Sequence, residues 1–419
     1  MAYVVDIQFF NTFILRSATN NKVFVEESRI KGDFNSLPAG LGPKAYVTNE
    51  NYEENRRSNA LIYSGIYNSR TDINKTNVFS AGEKITRAVD SANGSIQKLH
   101  AEDTNLNIFQ EDKVSYALID KDAIFTAEGG NLTASGAKVI GQIVPYSGKY
   151  GISKNPESFA VKGNRKYFAD KNRGAILRLS GGGGPGNGIT EISQAGMRDF
   201  FKDNLKTADA IIGMYDDVSD SYVLNIKNIS PSNPKNDTFK TLSFDEQSRG
   251  WVSFYSYNPD FGFSINKKFF TFKDNDIWKH YTEIDGKKNT FYDNYSESNI
   301  TFIVNNSPSV VKNYNTINYE GSSGWEMASS ITDLENRAFR ILGDTNASPA
   351  GVIPIKFIKK ENKYYAPLRA QAGIPGQNQI IGVDATGLKG FISTVKMSHN
   401  TSLQDVELFT VSHNIVRSS

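Results

Sequence analysis

"LNIFQEDKVSYALI" runs from Leu106 to Ile119, and the fold turns on how it is read. Leu106 and Ile108 alternate with polar positions before a Glu-Asp turn, and Val114, Tyr116 and Leu118 alternate after it. Period-2 alternation sends successive side chains to opposite faces of a strand, so two such runs joined by a short polar turn predict a β-hairpin.

The same shape returns along the chain. In "FAVKGNRKYFADKNRGAILRLS", Tyr167 and Phe168 precede an Asp-Lys-Asn-Arg-Gly turn and Ile176 and Leu177 follow it. In "IIGMYDDVSDSYVLNI", Met214 and Tyr215 lead into an Asp-rich turn before Tyr222 and Leu224. Further copies are "LSFDEQSRGWVSF" from Leu242, "FFTFKDNDIWKHY" from Phe269 and "IKFIKKENKYYAPL" from Ile355. Equivalent positions Ile108, Phe168, Tyr215 and Phe272 lie about 45 to 60 residues apart, which suits four-stranded propeller blades of roughly 40 to 50 residues lengthened by loop insertions. The expected fold is mainly β: a β-propeller-like series of repeated antiparallel hairpins, a small C-terminal β domain and few short helices. A β-sandwich is the competitor, because short strands with regular turns are its signature too. The expected organisation is an N-terminal β segment at 1–54, a propeller-like domain at 55–344 and a C-terminal β domain at 345–419. The last is read from strands around Phe391 to Met397 and Val406 to Val411, with a loop at His399 to Asp405.

Composition supports β structure and narrows function. The 419 residues include 20 Tyr and 26 Phe, which favour strands, and 34 Gly, which supply turns. The 47 Lys and Arg against 45 Asp and Glu give a net charge of +2, too small for nucleic-acid binding through bulk electrostatics. The chain has no cysteine, which removes disulfides, thiolate metal sites and cysteine nucleophiles. No apolar run of about 18 residues occurs, so no membrane span is expected. "MAYVVDIQFFNTFILRS" carries Asp6 and no basic leader, and reads as a strand pair instead of a signal peptide.

Motifs that could carry chemistry fail on their neighbours. "LRLSGGGGPGNGITEISQAGMRDFF" from Leu177 suggests a phosphate loop, but no lysine closes the glycine run, and Asp209 follows antiparallel strands where a dinucleotide site needs a βαβ unit. The run reads as a loop tip. The helix after it is expected to start at Ser193 as N-cap and to bury Met197, Phe200, Phe201 and Leu205. His100, His280, His399 and His413 have no metal-ligand spacing, and His280 reads as a half-buried sheet residue. "DKNRG", "DDVSD" and "KDNDI" do not match a calcium loop, and their acids fall at turns, where Asp satisfies backbone groups. "SFDEQSRGW" from Ser243 loosely resembles the Asp-box turn of sialidase propellers, a structural motif. No catalytic, cofactor-binding or metal-binding residue is nominated, and no cofactor is expected. The basic runs "ENRRSN" and "KNRGAILR" read as solvated loop faces.

A longer resemblance is carried by "RSNALIYSGIYNSRTDINKTNVFSAGEKITRAVDSANGSIQKLHAEDTNLNIFQEDKVSYALIDKDAIF", "YGISKNPESFAVKGNRKYFADKNRGAILRLS", "GITEISQAGMRDFFKD", "RGWVSFYSY", "KKFFTFKDNDIWKH" and "VELFTVSHNIVRSS", in that order. From about Val23 to Ser419 the chain resembles tail structural proteins of tailed bacteriophages, the nozzle- or muzzle-type proteins of short-tailed, crAss-like and related marine phages. The resemblance implies a non-enzymatic virion tail component, made in the bacterial host cytoplasm, that assembles as a ring around the DNA exit channel or decorates it. Its implied partners are other tail proteins and copies of itself, with transient contact to exiting genomic DNA. Relatives with sequence preceding the matched part make this chain look like a trimmed or split version, and the Gly181 to Gly188 insertion looks long for the family. The alternative is a receptor- or glycan-binding propeller, which Trp251, Trp278 or Trp325 lining one pocket would support, against their use in blade packing. A glycoside hydrolase would need two convergent carboxylates, and no pair is singled out.

Overall fold

The stretch from Leu106 to Ile119 forms the hairpin its alternation predicts, with Phe109 opposite Val114 and Leu106 opposite Ala117. The computed structural model describes residues 13–16, 23–26, 57–65, 67–71, 73–79, 85–102, 105–125, 131–181, 188–230, 237–284, 286–334, 337–338, 340–341, 352–353, 355–368 and 387–418. These residues are mainly β, in antiparallel sheets, and the chain divides into two compact units, Met1–Asn275 and Asp276–Ser419. The boundaries expected after 54 and 344 and the glycine run at 182–187 lie outside the described residues. Of the N-terminal stretch, Phe13–Arg16 is described and pairs with Val23–Glu26.

Four sheets of the first unit are meanders of consecutive strands, preceded by a pair, Ala60–Ile62 with Thr86–Ala88, that brackets the hairpin Tyr67–Asn68 and Ile73–Asn74. The first meander comprises Ile96–Glu102, Asn105–Gln110, Val114–Phe125 and Asn131–Pro145; the second Ala160–Lys162, Arg165–Asp170, Ala175–Ser180 and Gly188–Glu191. The third comprises Ala210–Asp216, Ser221–Asn228, Thr238–Asp245 and Gly250–Tyr255, and the fourth contains the hairpin Phe261–Ile265 and Lys268–Lys273.

Consecutive sheets pack face to face, and neighbouring residues of one strand show how. Tyr167 and Phe168 are both fully buried, on opposite faces of the second sheet. Phe168 meets Phe109 of the first sheet edge-on, ring centres 5.2 Å apart, in a cluster with Val114, Ala175 and Leu177. Tyr167 stacks on Tyr222 of the third sheet at 4.8 Å, in a cluster with Ile176, Tyr215 and Leu224. The other face of the third sheet places Ile212, Met214 and Val223 against Phe269 of the fourth. Strands buried on both faces read as short continuous apolar runs, which explains "KYFA" and "AILRL". Each such aromatic side chain contributes about 1.5–3 kcal/mol through burial.

Close approach and turn geometry fix the details. A Cβ on Gly213 would lie 1.9 Å from the Ser158 carbonyl oxygen, which also accepts the Tyr222 hydroxyl hydrogen bond at 2.9 Å. Asp170, Asp216 and Asp245 each end a strand, and each is followed by a four-residue loop. The last loop residues, Gly174, Asp220 and Arg249, take φ of 67°, 50° and 53°. The three carboxylates accept loop N–H groups, from Arg173 (3.1 Å), Val218 (2.9 Å) and Ser248 (2.8 Å) respectively. The expected turn role of Asp170 and Asp216 is what the structure shows, and Asp245 of the Asp-box-like run serves the same way.

One expectation is corrected. Ser193 does not cap the helix: it lies in a 3-10 turn, Ile192–Gln194, and its hydroxyl donates to Glu191. Gly196, with φ of 73°, redirects the chain so that the helix Arg198–Leu205 starts after Met197, and Phe201 and Leu205 are buried in the core. The mainly β expectation is met by stacked antiparallel meanders among the described residues.

The second unit is built differently. One sheet joins Ser298–Val304, Ser393–His399, Glu326–Thr332 and Arg337–Ala338, with Ile355–Lys356 also on Glu326–Thr332. The other joins the hairpin Ile358–Lys360 and Lys363–Pro367 to Lys312–Gly321, which also pairs with Leu388–Gly390 and with Leu408–Arg417. Tyr314, Ile317, Tyr319 and Leu388 of this sheet meet Met327, Val395 and Met397 of the other in one core. The strands expected near 391–397 and 406–411 are present, but they belong to different sheets and do not pair with each other.

Candidate functional site

The residues that sequence reading weighed are held mainly by packing. Trp251 lies against Phe201 and Phe244, with its indole N–H donating to the Ile192 carbonyl at 3.1 Å. Trp325 is buried in the core of the second unit and donates to the Glu407 carbonyl at 3.2 Å. Trp278 is half-buried, edge-on to Tyr292 with ring centres 5.3 Å apart. The three tryptophans therefore sit in three separate packing environments, two of them cores.

The histidines behave similarly. The His399 ring nitrogen Nε2 lies 2.9 Å from the Ser323 carbonyl, and its ring meets Trp325 edge-on. His280 lies among Phe291 and Tyr292. His413 faces Phe302 and Tyr314, and burial lowers its pKa to about 4. His100 lies near Phe159, and burial followed by the Lys166 and Lys98 charges lowers its pKa. Among the described residues no group of three or more His, Asp or Glu converges as a metal site.

Sequence reading missed a set of charges at the sheet-to-sheet contacts of the first unit. Lys166, fully buried, pairs with Glu102 of the first sheet, whose carboxylate also accepts from Asn107 at 2.8 Å. Asn107 in turn accepts from Tyr146 at 2.8 Å. Glu246 accepts from Tyr167 (2.6 Å) and Arg178 (2.5 Å) of the second sheet. Lys227 of the third sheet pairs with Asp260 at 2.6 Å, just before the fourth. The signal is invisible locally, because each partner comes from a different meander. These pairs orient sheets against one another and contain no nucleophile–base arrangement.

A groove of about 710 Å³ in the first unit is lined by Gln110, Asp112, Lys113, Lys149 and Arg173, among others. Arg173 is engaged by Asp112 and Asp170, both at 3.0 Å, and Lys113 donates to the Gly148 carbonyl at 2.6 Å. Its cations are thus largely satisfied within the fold.

Two exposed apolar features carry charged neighbours. On the fourth sheet, Phe261 pairs with Phe272 and Phe263 with Phe270, giving ring contacts at 6.0 and 5.5 Å on one face. Phe261 and Ile265 are 51% and 54% exposed, and Lys267 and Lys268 stand exposed at the adjoining turn. In the second unit, Leu403, Asp405, Glu407 and Phe409 are exposed at alternate positions, while Val406 and Leu408 pack against the core.

Comparison with known proteins fits a chain whose prominent features are packing and surface. The sequence profile of the crassvirus muzzle protein matches residues 49–275, and that of the crassvirus muzzle protein C-terminal domain matches 286–371. A muzzle protein of Bacteroides phage crAss001 is 23% identical over 288 residues, covering 64% of this chain and 19% of that protein's length. Among solved structures, an exo-β-1,3-galactanase from Phanerochaete chrysosporium with bound galactose covers 76% of this chain and 68% of its own, at 8% identity and a TM-score of 0.23. A likeness that weak carries no weight for fold or activity. The first profile spans more than half of the chain, and the chain belongs to the crassvirus muzzle protein family.

Proposed function

We propose that this chain is a non-enzymatic structural component of a crAss-like phage tail, assembling with copies of itself and other tail proteins as a ring around the DNA exit channel or on its outside. Membership in the muzzle protein family carries the reading. The stacked meanders of the first unit support it, since sheets that pack face to face in sequence order have the form of propeller blades. On this reading the virion is where the protein acts, after synthesis in the host cytoplasm, and contact with exiting DNA is transient. The run "KNRGAILR" is not the place for that contact, because Arg173 and Arg178 are paired with Asp112, Asp170 and Glu246. A glycan pocket is disfavoured by the core positions of Trp251 and Trp325.

The test is imaging of virions beside the recombinant chain. Ring-shaped tail density into which both units fit is the expected result. A chain absent from the tail that stays monomeric and binds or cleaves a glycan would overturn the reading.

A further inference from the structure

We infer that the phenylalanine ladder of the fourth sheet in one copy docks on the exposed segment from Leu403 to Phe409 of the next copy. This inference rests on the assembly reading above and names the surfaces that would carry it.

The first unit itself shows what covers a face of this composition. Twice along the stack an aromatic-rich sheet face is buried by apolar side chains of the next sheet. The outer face of the fourth sheet has the same chemistry: Phe261, Phe263, Phe270 and Phe272 in cross-strand register, extended by Ile265. Exposed contiguous apolar surface of this kind marks an interaction site.

Charge selects the partner. Lys267 and Lys268 stand at the turn end of the ladder, so the occupant should be apolar with carboxylates. The segment from Leu403 to Phe409 offers this pattern, with Leu403 79% and Phe409 73% exposed on either side of Asp405 and Glu407. Asp405 touches Lys288 at 2.8 Å, yet its side chain is 81% exposed and can accept from a second cation. The segment is also held in place. The Glu407 carbonyl accepts from Ser322 N–H at 2.8 Å and from the Trp325 indole, and the Glu407 N–H donates to the Ser322 hydroxyl at 3.0 Å. A fixed segment loses less conformational freedom on docking. Two different surfaces meeting between copies make a heterologous contact, which propagates and closes into a ring when the rotation allows.

Charge reversal tests this in solution. The variants Lys267→Glu/Lys268→Glu and Asp405→Lys/Glu407→Lys alter exposed side chains, and an unchanged circular dichroism melt confirms folding. By analytical ultracentrifugation each variant alone should associate at least tenfold more weakly than the parent chain, and an equimolar mixture of the two should recover association. Because the chain has no cysteine, Phe261→Cys adds a single thiol, whose maleimide labelling should be fast in the free chain and at least tenfold slower in assembled material. Variants that associate like the parent, a mixture that fails to recover, or equal labelling in both states would overturn the contact while leaving ring density in virions to support assembly. A parent chain that is monomeric at every concentration would overturn the contact between copies, and its absence from tail density would remove the assembly reading as well.

Discussion

Phe168 finds its cross-strand partner Leu177 just beyond one turn, whereas Phe302 finds Val395 only after the chain has built most of the other sheet of its unit. The two units thus solve the burial of apolar faces in opposite ways. In the first, each of the four stacked meanders is finished before the next begins, and their faces meet in sequence order. In the second, the strand Ser393–His399 inserts between Ser298–Val304 and Glu326–Thr332, and Leu408–Arg417 completes a sheet begun at Lys312. Short turns close with little loop entropy, while the second arrangement must order long intervening segments before its contacts form. One chain thus combines local and non-local β architecture, each with its own sensitivity to damage.

The largest test removes residues 388–419. This deletes three strands of the second unit, one of them the middle of its sheet, and should abolish one cooperative unfolding transition by calorimetry while the first unit keeps its own. Loss of both transitions would break the comparison. A smaller effect is expected at the buried pair in the first unit. Lys166→Ala leaves Glu102 without its cation and should lower stability by about 3 kcal/mol in denaturant titration, whereas Lys166→Met with Glu102→Gln should stay within about 1 kcal/mol of the parent. Equal losses in both variants would mean that the pair acts through shape and not charge.

The smallest effect concerns pH in the second unit. The folded pKa of His413 is lowered to about 4 from 6.5, so the unfolded state takes up a proton first as pH falls. Its contribution is fully present above about pH 6.5 and is lost as pH drops toward 4, the loss reaching about 2 kcal/mol at pH 5. His413→Phe should flatten that part of the pH–stability curve relative to the parent, and an unchanged slope would place the acid sensitivity elsewhere.

Legibility in the sequence followed the same division. Hairpins such as Asn105–Gln110 with Val114–Phe125 were readable because alternation, turn and partner lie within one short window. Asp170 and Asp216 were readable as turn residues for the same reason. Strands near Ser393–His399 were readable as strands, but their partners were not, since nothing in a local pattern names a strand about 90 residues away. Ser193 misled because a capping side chain is recognised by type, whereas the 3-10 turn and Gly196 that displace the helix start depend on packing. The aromatic ladder was visible as Phe-rich sequence, but the exposure of Phe261 and Ile265 is set by packing and not by local pattern. Of the candidate surface, the residues were legible and the accessibility was not.

The sequence-ordered stacking of the first unit has an evolutionary side. Because each meander carries its own turns and the clusters between sheets join neighbours in the stack, gain or loss of a whole meander is a local edit in the gene that leaves distant strand registers intact. Variation in this part of the molecule is therefore expected to arrive in steps of one sheet, with single-residue insertions confined to loop tips. The second unit offers no such seam, since cutting between its strands separates partners, and its length should vary far less among relatives.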